Sequence, residues 1–144
     1  MTNPLALALA TVLTAISLLH FAWAAGIYWP GKDPVSLSDK VMGAAPGVGL
    51  PPTWLTALVA AAILGGALSV LMFSVEAWDG PWRPAFAMAY IAMTFVFLAR
   101  GIAGYVPALW RRTRATSFYR LNRLYYSPLC LLIAAGLVVN FILG

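Results

Sequence analysis

The stretch that decides the fold is "LALALATVLTAISLLHFAWAAGI", residues 5–27, an apolar run without Asp, Glu, Lys or Arg. An α-helix needs about 20 such residues to cross the hydrocarbon core of a bilayer. In lipid every backbone polar group has to be paired within the segment, so the run predicts a transmembrane helix. We interpret it as a retained span and not as a cleaved signal peptide, because no basic residue precedes it and the apolar stretch is too long.

Three further apolar runs of similar length follow in the chain. Composition agrees with a membrane protein, since 62% of the 144 residues are hydrophobic and 9% are charged, where a soluble domain has about 25% charged residues. The mean hydropathy is +0.87. The sequence therefore predicts one all-α domain over residues 1–144. Its expected architecture is an integral membrane antiparallel four-helix bundle with spans at about 5–27, 54–75, 84–103 and 125–143.

Small residues recur at helical spacing within these runs. Membrane helices associate through close packing of such residues, so the pattern predicts helix contacts within the bundle. The third run carries the longest example, a small-residue seam of Ala85, Ala89, Ala92, Val96, Ala99 and Ala103. The second and fourth runs contribute the shorter pairs Ala62 and Gly66, Gly65 and Ser69, and Gly136 and Asn140.

Basic residues are concentrated between the third and fourth runs, in loop three. The net charge is +5, and loop three contains no acid beside Arg111, Arg112, Arg114, Arg120 and Arg123. Lys and Arg near the spans favour the cytoplasmic side. We therefore expect loop one (residues 28–53) and loop three in the cytoplasm and both termini outside, in a bacterial inner membrane. Loop three is expected to contact anionic lipid headgroups, or to bind an anion through one or two arginines. Nucleic acid is not expected, since no recognisable binding module accompanies the charge.

Single copies of cysteine and histidine exclude several kinds of site. Cys130 alone forms no internal disulfide, and with one histidine it cannot complete a structural zinc site or a haem held by two histidines. The Gly-rich stretch "GAAPGVGLPP" of loop one lacks the Lys-Ser/Thr of a phosphate-binding loop. We therefore expect no metal and no cofactor. Long loop one is expected to fold over one end of the bundle.

Polar residues converge at the end of the bundle that carries loops one and three. This depth is shared by His20, Arg100, Asn122, Arg123, Tyr125 and Tyr126. Each has a structural interpretation, because cationic side chains snorkel toward headgroups and aromatic residues form interfacial belts. Ionisable residues inside a membrane are nevertheless functional candidates by default. We therefore predict a ligand-binding site at this end.

Histidine is the one candidate for catalysis in this group. His20 can transfer protons near neutral pH, and Arg100 can stabilise an anion. No carboxylate within a span orients the imidazole, so only Asp33 or Asp39 of loop one could do so. Whether the protein is an enzyme stays open at this point.

Three segments resemble an uncharacterised bacterial family of small four-helix membrane proteins, known as a domain of unknown function. They are "HFAWAAG", "LARGIAGY" and "TSFYRLNRLYYSPLCLLIAAG", with an H-x-x-W signature and a Tyr-Ser-Pro-Leu-Cys motif. The resemblance covers most of the chain and implies a fold without an activity. It adds Trp23 to the candidate ligand-binding residues. The family pattern falls on His20, Trp23, Gly26, Arg100, Gly104, Phe118, Tyr126, Pro128 and Cys130. The chain departs from the family pattern near Asn122, where the resemblance leads us to expect an acidic residue.

Three functions from different classes fit the sequence. The first is binding of a lipid, a quinone or another amphipathic anion between the helices at the His20 and Arg100 end. The second is an accessory or assembly subunit of a larger membrane complex, or a homo-oligomer in the membrane. The third is a small membrane enzyme that acts on a lipid with His20 as acid or base.

Overall fold

The computed structural model describes residues 3–74 and 80–143, and every regular element in this part of the chain is helical. We label the elements α1 (Pro4–Ala24), α2 (Pro34–Val41), α3 (Thr53–Phe73), α4 (Arg83–Ala103), α5 (Ser117–Leu121) and α6 (Ser127–Leu143). A π-helical segment, Asn122–Tyr126, joins α5 to α6 without a break. Four helical stretches are long and apolar enough to cross a membrane, namely α1, α3, α4 and Ser117–Leu143. The prediction of an all-α four-helix membrane protein is confirmed.

The helix ends differ from the predicted spans by a few residues. Helix α1 ends at Ala24 because the chain turns at Gly26, whose φ of +87° lies in the left-handed region that favours glycine. The last span begins at Ser117 and not near residue 125, since α5 and the π-helical segment extend it. The predicted end of the second span at Val75 lies outside the described residues. So do Glu76 and Asp79, which belong to the loop between the second and third spans.

The helices pack as an antiparallel bundle. Helix α1 packs mainly on α3, α4 packs on α6 and on α3, and α1 also contacts α6. The core between them includes Leu13, Val70, Phe97 and Leu137. Many large apolar side chains on the other faces are exposed, as expected of helices whose outer surfaces contact lipid.

Buried hydrogen bonds connect the helices to one another. The Ser17 hydroxyl of α1 donates to the Ala60 carbonyl of α3 at 2.7 Å. At the end that carries the termini, the Asn140 amide donates to the Tyr90 hydroxyl at 3.2 Å, and Tyr90 donates to the Leu137 carbonyl at 2.6 Å. The Asn3 side-chain amide donates to the side-chain oxygen Oδ1 of Asn140 at 3.3 Å. This network joins α1, α4 and α6.

Helix α4 presents a different face to the core than its sequence predicts. Its buried residues are Tyr90, Met93, Phe97 and Gly101. Four members of the small-residue seam are exposed instead: Ala85, Ala92, Val96 and Ala99. The prediction that this seam packs inside the bundle is wrong, because the large side chains of α4 fill the space toward α3 and α6 and turn the alanines outward.

Loop one contains the short helix α2. The Asp33 carboxylate accepts hydrogen bonds from the backbone N–H groups of Val35 and Ser36, and the Ser36 hydroxyl accepts one from the Asp33 N–H. This capping box stabilises the helix start. Leu37 and Ser38 are the buried residues of α2, which packs on α5. Loop one therefore covers the same end of the bundle as loop three.

Candidate functional site

Arg100 lies in the last turn of α4 and its side chain is half-buried. Its guanidinium carbon lies 5.3 Å from the centroid of the Trp110 ring and 5.8 Å from that of the Phe118 ring. The two rings are 5.2 Å apart. The Nη1 atom of Arg100 is buried and has no hydrogen-bond partner among the described residues. Two aromatic rings therefore position a cation that still has an unused donor.

Trp110 is held in place by contacts with two elements. Its indole N–H donates to the Ala103 carbonyl at the end of α4 at 2.6 Å. On loop one, Gly43 lies so close to the ring that a Cβ there would overlap it. The indole thus lies between Arg100 and loop one.

Asn122 begins the π-helical segment and is buried, with 1% of its surface exposed. Its side-chain carbonyl accepts a hydrogen bond from the Ser127 hydroxyl at 3.3 Å, while Nδ2 has no partner among the described residues. Gly104, one turn after Arg100, packs against both side chains, and a Cβ there would overlap Ser127 Oγ. The π-helical turn brings Asn122 and Ser127 to one face, a feature frequent at functional sites.

Tyr126 connects this group to loop one. Its ring centroid lies 6.1 Å from that of the fully buried Phe118. Its hydroxyl donates to the Lys40 carbonyl of α2 at 2.9 Å. We call Arg100, Trp110, Phe118, Asn122 and Tyr126 the Arg100 cluster.

Among the described residues, no carboxylate balances the charge of Arg100. Asp33 and Asp39 are the acids in the described part of the chain, and neither interacts with Arg100. The Asp33 carboxylate instead caps α2, where the Ser36 backbone N–H holds its pKa below the ordinary value of 3.8. A partly buried cation without an anionic partner is energetically costly.

His20 and Trp23 form a separate group at the end of α1. The His20 Nδ1 atom donates to the Ile16 carbonyl at 2.8 Å, and its ring centroid lies 4.7 Å from that of Trp23. The Trp23 indole N–H donates to the Trp29 carbonyl at 2.8 Å. Within residues 3–74 and 80–143, no hydrogen bond or ring contact joins this pair to the Arg100 cluster. Asp33 and Asp39 make no such contact with His20 either, so no carboxylate in the described part of the chain orients its imidazole.

The remaining predicted residues lie on the surface. Arg123 is exposed and stacks on Tyr119, with its guanidinium carbon 6.0 Å from the ring centroid. Its carbonyl accepts a hydrogen bond from the Tyr105 hydroxyl at 3.3 Å. Tyr125 is 63% exposed. Their positions agree with an interfacial location.

The chain matches a family model described as "Protein of unknown function (DUF3995)" over residues 13–137. The chain belongs to the DUF3995 family. Membership agrees with the resemblance to an uncharacterised family, and the match includes both His20 and the whole Arg100 cluster. No curated protein and no solved structure matches the chain. This DUF3995 protein is thus a small multi-pass membrane protein of unknown activity.

Several residues of this candidate site are not singled out by the sequence pattern alone. Trp110 looks like one more interfacial aromatic in the sequence, and Ser38 is one of several polar residues in a loop. Phe118 and Gly104 were identified as candidates only by the resemblance to the family. No sequence spacing relates Ser38, whose buried hydroxyl has no partner among the described residues, to Arg100, because α2 and α4 are distant parts of the chain.

Metal-ligating side chains do not gather in the described part of the DUF3995 chain. No group of three or more His, Cys, Asp or Glu residues occurs there. Cys130 is half-buried and packs against the apolar core. The donors that the Arg100 cluster offers are N–H groups, which suit an anion and not a metal ion.

Proposed function

We propose that this DUF3995 protein binds the anionic headgroup of an amphipathic molecule at the Arg100 cluster. The observation that carries the proposal is the buried Nη1 of Arg100, which has neither a hydrogen-bond partner nor an ion-pair partner in the described chain. A buried donor without an acceptor costs about 1–3 kcal/mol, and a charged one costs more. A bound anion would remove both penalties.

The aromatic neighbours support this role. Trp110 and Phe118 hold the guanidinium by cation–π contacts, which leave its N–H groups free for acceptors in its plane. The buried Nδ2 of Asn122 adds a second unused donor nearby. A neutral quinone carbonyl would satisfy a donor but leave the charge unbalanced, so an anion fits better.

The depth of the cluster supports an amphipathic ligand. Arg100 lies in the last turn of a membrane-spanning helix, at the level where headgroups meet acyl chains. In the proposed orientation this end faces the cytoplasm of a bacterium, supported by the five arginines of loop three. Of the seven predicted ligand-binding residues, Arg100 and Asn122 contact the headgroup in this proposal. Tyr126 does not contact it but stabilises the cluster through its ring contact with Phe118 and its hydrogen bond to loop one.

The other two functions have less support. The exposed alanines of α4 favour a subunit role, because small residues on a lipid-facing helix suit contact with another membrane helix. The enzyme hypothesis has less support because no carboxylate in residues 3–74 and 80–143 contacts His20.

The test is native mass spectrometry of the detergent-solubilised protein. We expect the wild type to carry a co-purified anionic lipid-sized adduct. Arg100→Gln should lose it, while Arg112→Gln should keep it, because Arg112 is an exposed arginine of loop three outside the Arg100 cluster. An adduct of unchanged occupancy on folded Arg100→Gln would contradict the proposal. Thermal unfolding in the same detergent checks that both variants are folded.

A further inference from the structure

We propose that the anion bound at the Arg100 cluster is a phosphate group, and that Ser38 of α2 supplies it with a third donor. Loop one would then close the site. The inference rests on the proposed function, because it names the ligand class and an additional contact of the same site.

The first argument is the position of the unpaired donors. Three buried side-chain polar atoms lack a hydrogen-bond partner among the described residues, namely Ser38 Oγ, Arg100 Nη1 and Asn122 Nδ2. All three can donate, and all three lie at the end that carries loops one and three. Elsewhere buried hydroxyls are paired, as Ser17 is with the Ala60 carbonyl and Ser69 with the Gly66 carbonyl. Since more than about 90% of buried polar groups are hydrogen-bonded, three orphans at one end indicate a shared missing acceptor.

The second argument is that loop one contacts the cluster at residues close to Ser38 in the chain. Ser38 is 1% exposed, and its neighbour Leu37 is fully buried where α2 packs on α5. Two residues further on, the Lys40 carbonyl accepts the hydrogen bond of Tyr126. Gly43 then lies against the six-membered ring of Trp110. The loop-one residues that contact Tyr126 and Trp110 therefore lie within five residues of Ser38 in the chain.

The third argument concerns the shape and charge of the acceptor. The three donors belong to α2, α4 and the π-helical segment, so they approach from different elements. A phosphate group offers three or more acceptor oxygens in tetrahedral directions, whereas a carboxylate offers two in one plane. Its negative charge also balances that of Arg100, and no described carboxylate in the cluster repels it.

The experiment titrates the full-length detergent-solubilised protein with four probes and measures occupancy by native mass spectrometry. The probes are phosphatidic acid, oleate, phosphatidylcholine and inorganic phosphate. We expect phosphatidic acid to bind at least about tenfold more tightly than oleate, as one further hydrogen bond to a charged group implies. Binding of inorganic phosphate, in competition with phosphatidic acid, also supports a phosphate site and identifies a free anion as a ligand.

Variants of Ser38 test its contact with the phosphate. Ser38→Ala should weaken phosphatidic acid binding about tenfold and leave oleate binding unchanged, while Ser38→Thr, which keeps the hydroxyl, should retain it. Ser117→Ala is the control, since Ser117 is exposed and its hydroxyl makes no described hydrogen bond. A second readout needs no variant: phosphatidic acid should slow tryptic cleavage after Lys40 more than oleate does.

The outcomes separate the two proposals. If oleate binds as tightly as phosphatidic acid and Ser38→Ala changes neither, the phosphate inference is overturned and the proposed anion site stands. If the wild type binds none of the anionic probes, both are overturned. Equal binding of phosphatidylcholine and phosphatidic acid, unaffected by Ser38→Ala, would also overturn the inference.

Discussion

The guanidinium carbon of Arg100 lies 5.3 Å from the centre of the Trp110 ring, whose six-membered ring also lies against Gly43 of loop one. One indole thus links the end of a membrane helix to the loop that covers it. The indole N–H is committed to the Ala103 carbonyl, so the ring cannot turn away without breaking that bond. Trp110 is therefore in contact with both Arg100 and loop one.

Trp110→Phe should lower stability without abolishing the fold. The variant keeps an aromatic ring beside Arg100 but removes the indole donor, so the Ala103 carbonyl keeps only its hydrogen bond from the Val106 backbone N–H, at a cost of about 1 kcal/mol. Thermal unfolding in detergent measures it. Trp54→Phe is the control, because Trp54 is 67% exposed and makes no described hydrogen bond. Equal melting temperatures for the two variants would show that the indole N–H contributes nothing.

Gly104→Ala should destabilise the contact between α4 and the start of α6. The added methyl group would overlap Ser127 Oγ, and overpacking of this kind costs about 1–3 kcal/mol. Gly65→Ala is the matched control, since a Cβ at Gly65 meets no atom within 4 Å. The measurement is the difference in melting temperature between the two variants. A Gly104→Ala protein as stable as the control would contradict the close approach of the two helices.

Tyr90→Phe tests the buried network at the end that carries the termini. Loss of the hydroxyl removes the bond to the Leu137 carbonyl and leaves the Asn140 amide donor unpaired. Hydrogen bonds between membrane helices contribute about 0.6 kcal/mol on average, so the two together should lower stability by about 1 kcal/mol. Tyr125→Phe, at an exposed position, should change nothing measurable. A chemical denaturation series in detergent distinguishes the two.

His20→Gln should leave anion binding unchanged. No described contact joins His20 to the Arg100 cluster, so the variant should keep the co-purified adduct that Arg100→Gln loses. Native mass spectrometry of both variants in parallel makes the comparison. Loss of the adduct from both would mean that the two groups form a single site.

Acidification should loosen α2. The pKa of Asp33 is held below 3.8 by the Ser36 backbone N–H, so the charged carboxylate stabilises the folded loop. Because a lowered pKa gives stability that is present above the ordinary value, this contribution is lost as the pH falls below about 4. Amide hydrogen exchange of residues 34–41, corrected for the intrinsic rate, should therefore increase between pH 5 and pH 3.

Two variants complete the pH test. Asp33→Ala should exchange rapidly at both pH values, because the cap is absent throughout. Asp39→Asn should retain the wild-type response, since no described hydrogen bond places Asp39 at the helix cap. A wild-type exchange rate that does not depend on pH would contradict the role of the Asp33 carboxylate.

The polar residues of the site were only partly predictable. Arg100 and His20 stand out in the sequence because ionisable side chains are rare in apolar runs. The separation of Arg100 from His20 cannot be predicted from the sequence, because depth along a helix does not determine which neighbour a side chain faces. Asn122 lies in the cluster because of the π-helical turn, and Trp110 because its indole N–H bonds to the end of α4. Whether the seven predicted residues share one ligand stays a prediction.

The sequence by itself determined the four spans of this protein, because a shortage of charges over about 20 residues leaves a helix in lipid as the stable conformation. It also determined that loops one and three share one end, since the number of spans fixes the side of each loop. Only the tertiary structure decided which face of α4 is buried. Small residues permit close packing, but Tyr90 and Phe97 fill the core and turn the alanines toward lipid. It alone placed Ser38, Arg100 and Asn122 at one buried end, because contacts between distant segments depend on how whole helices pack.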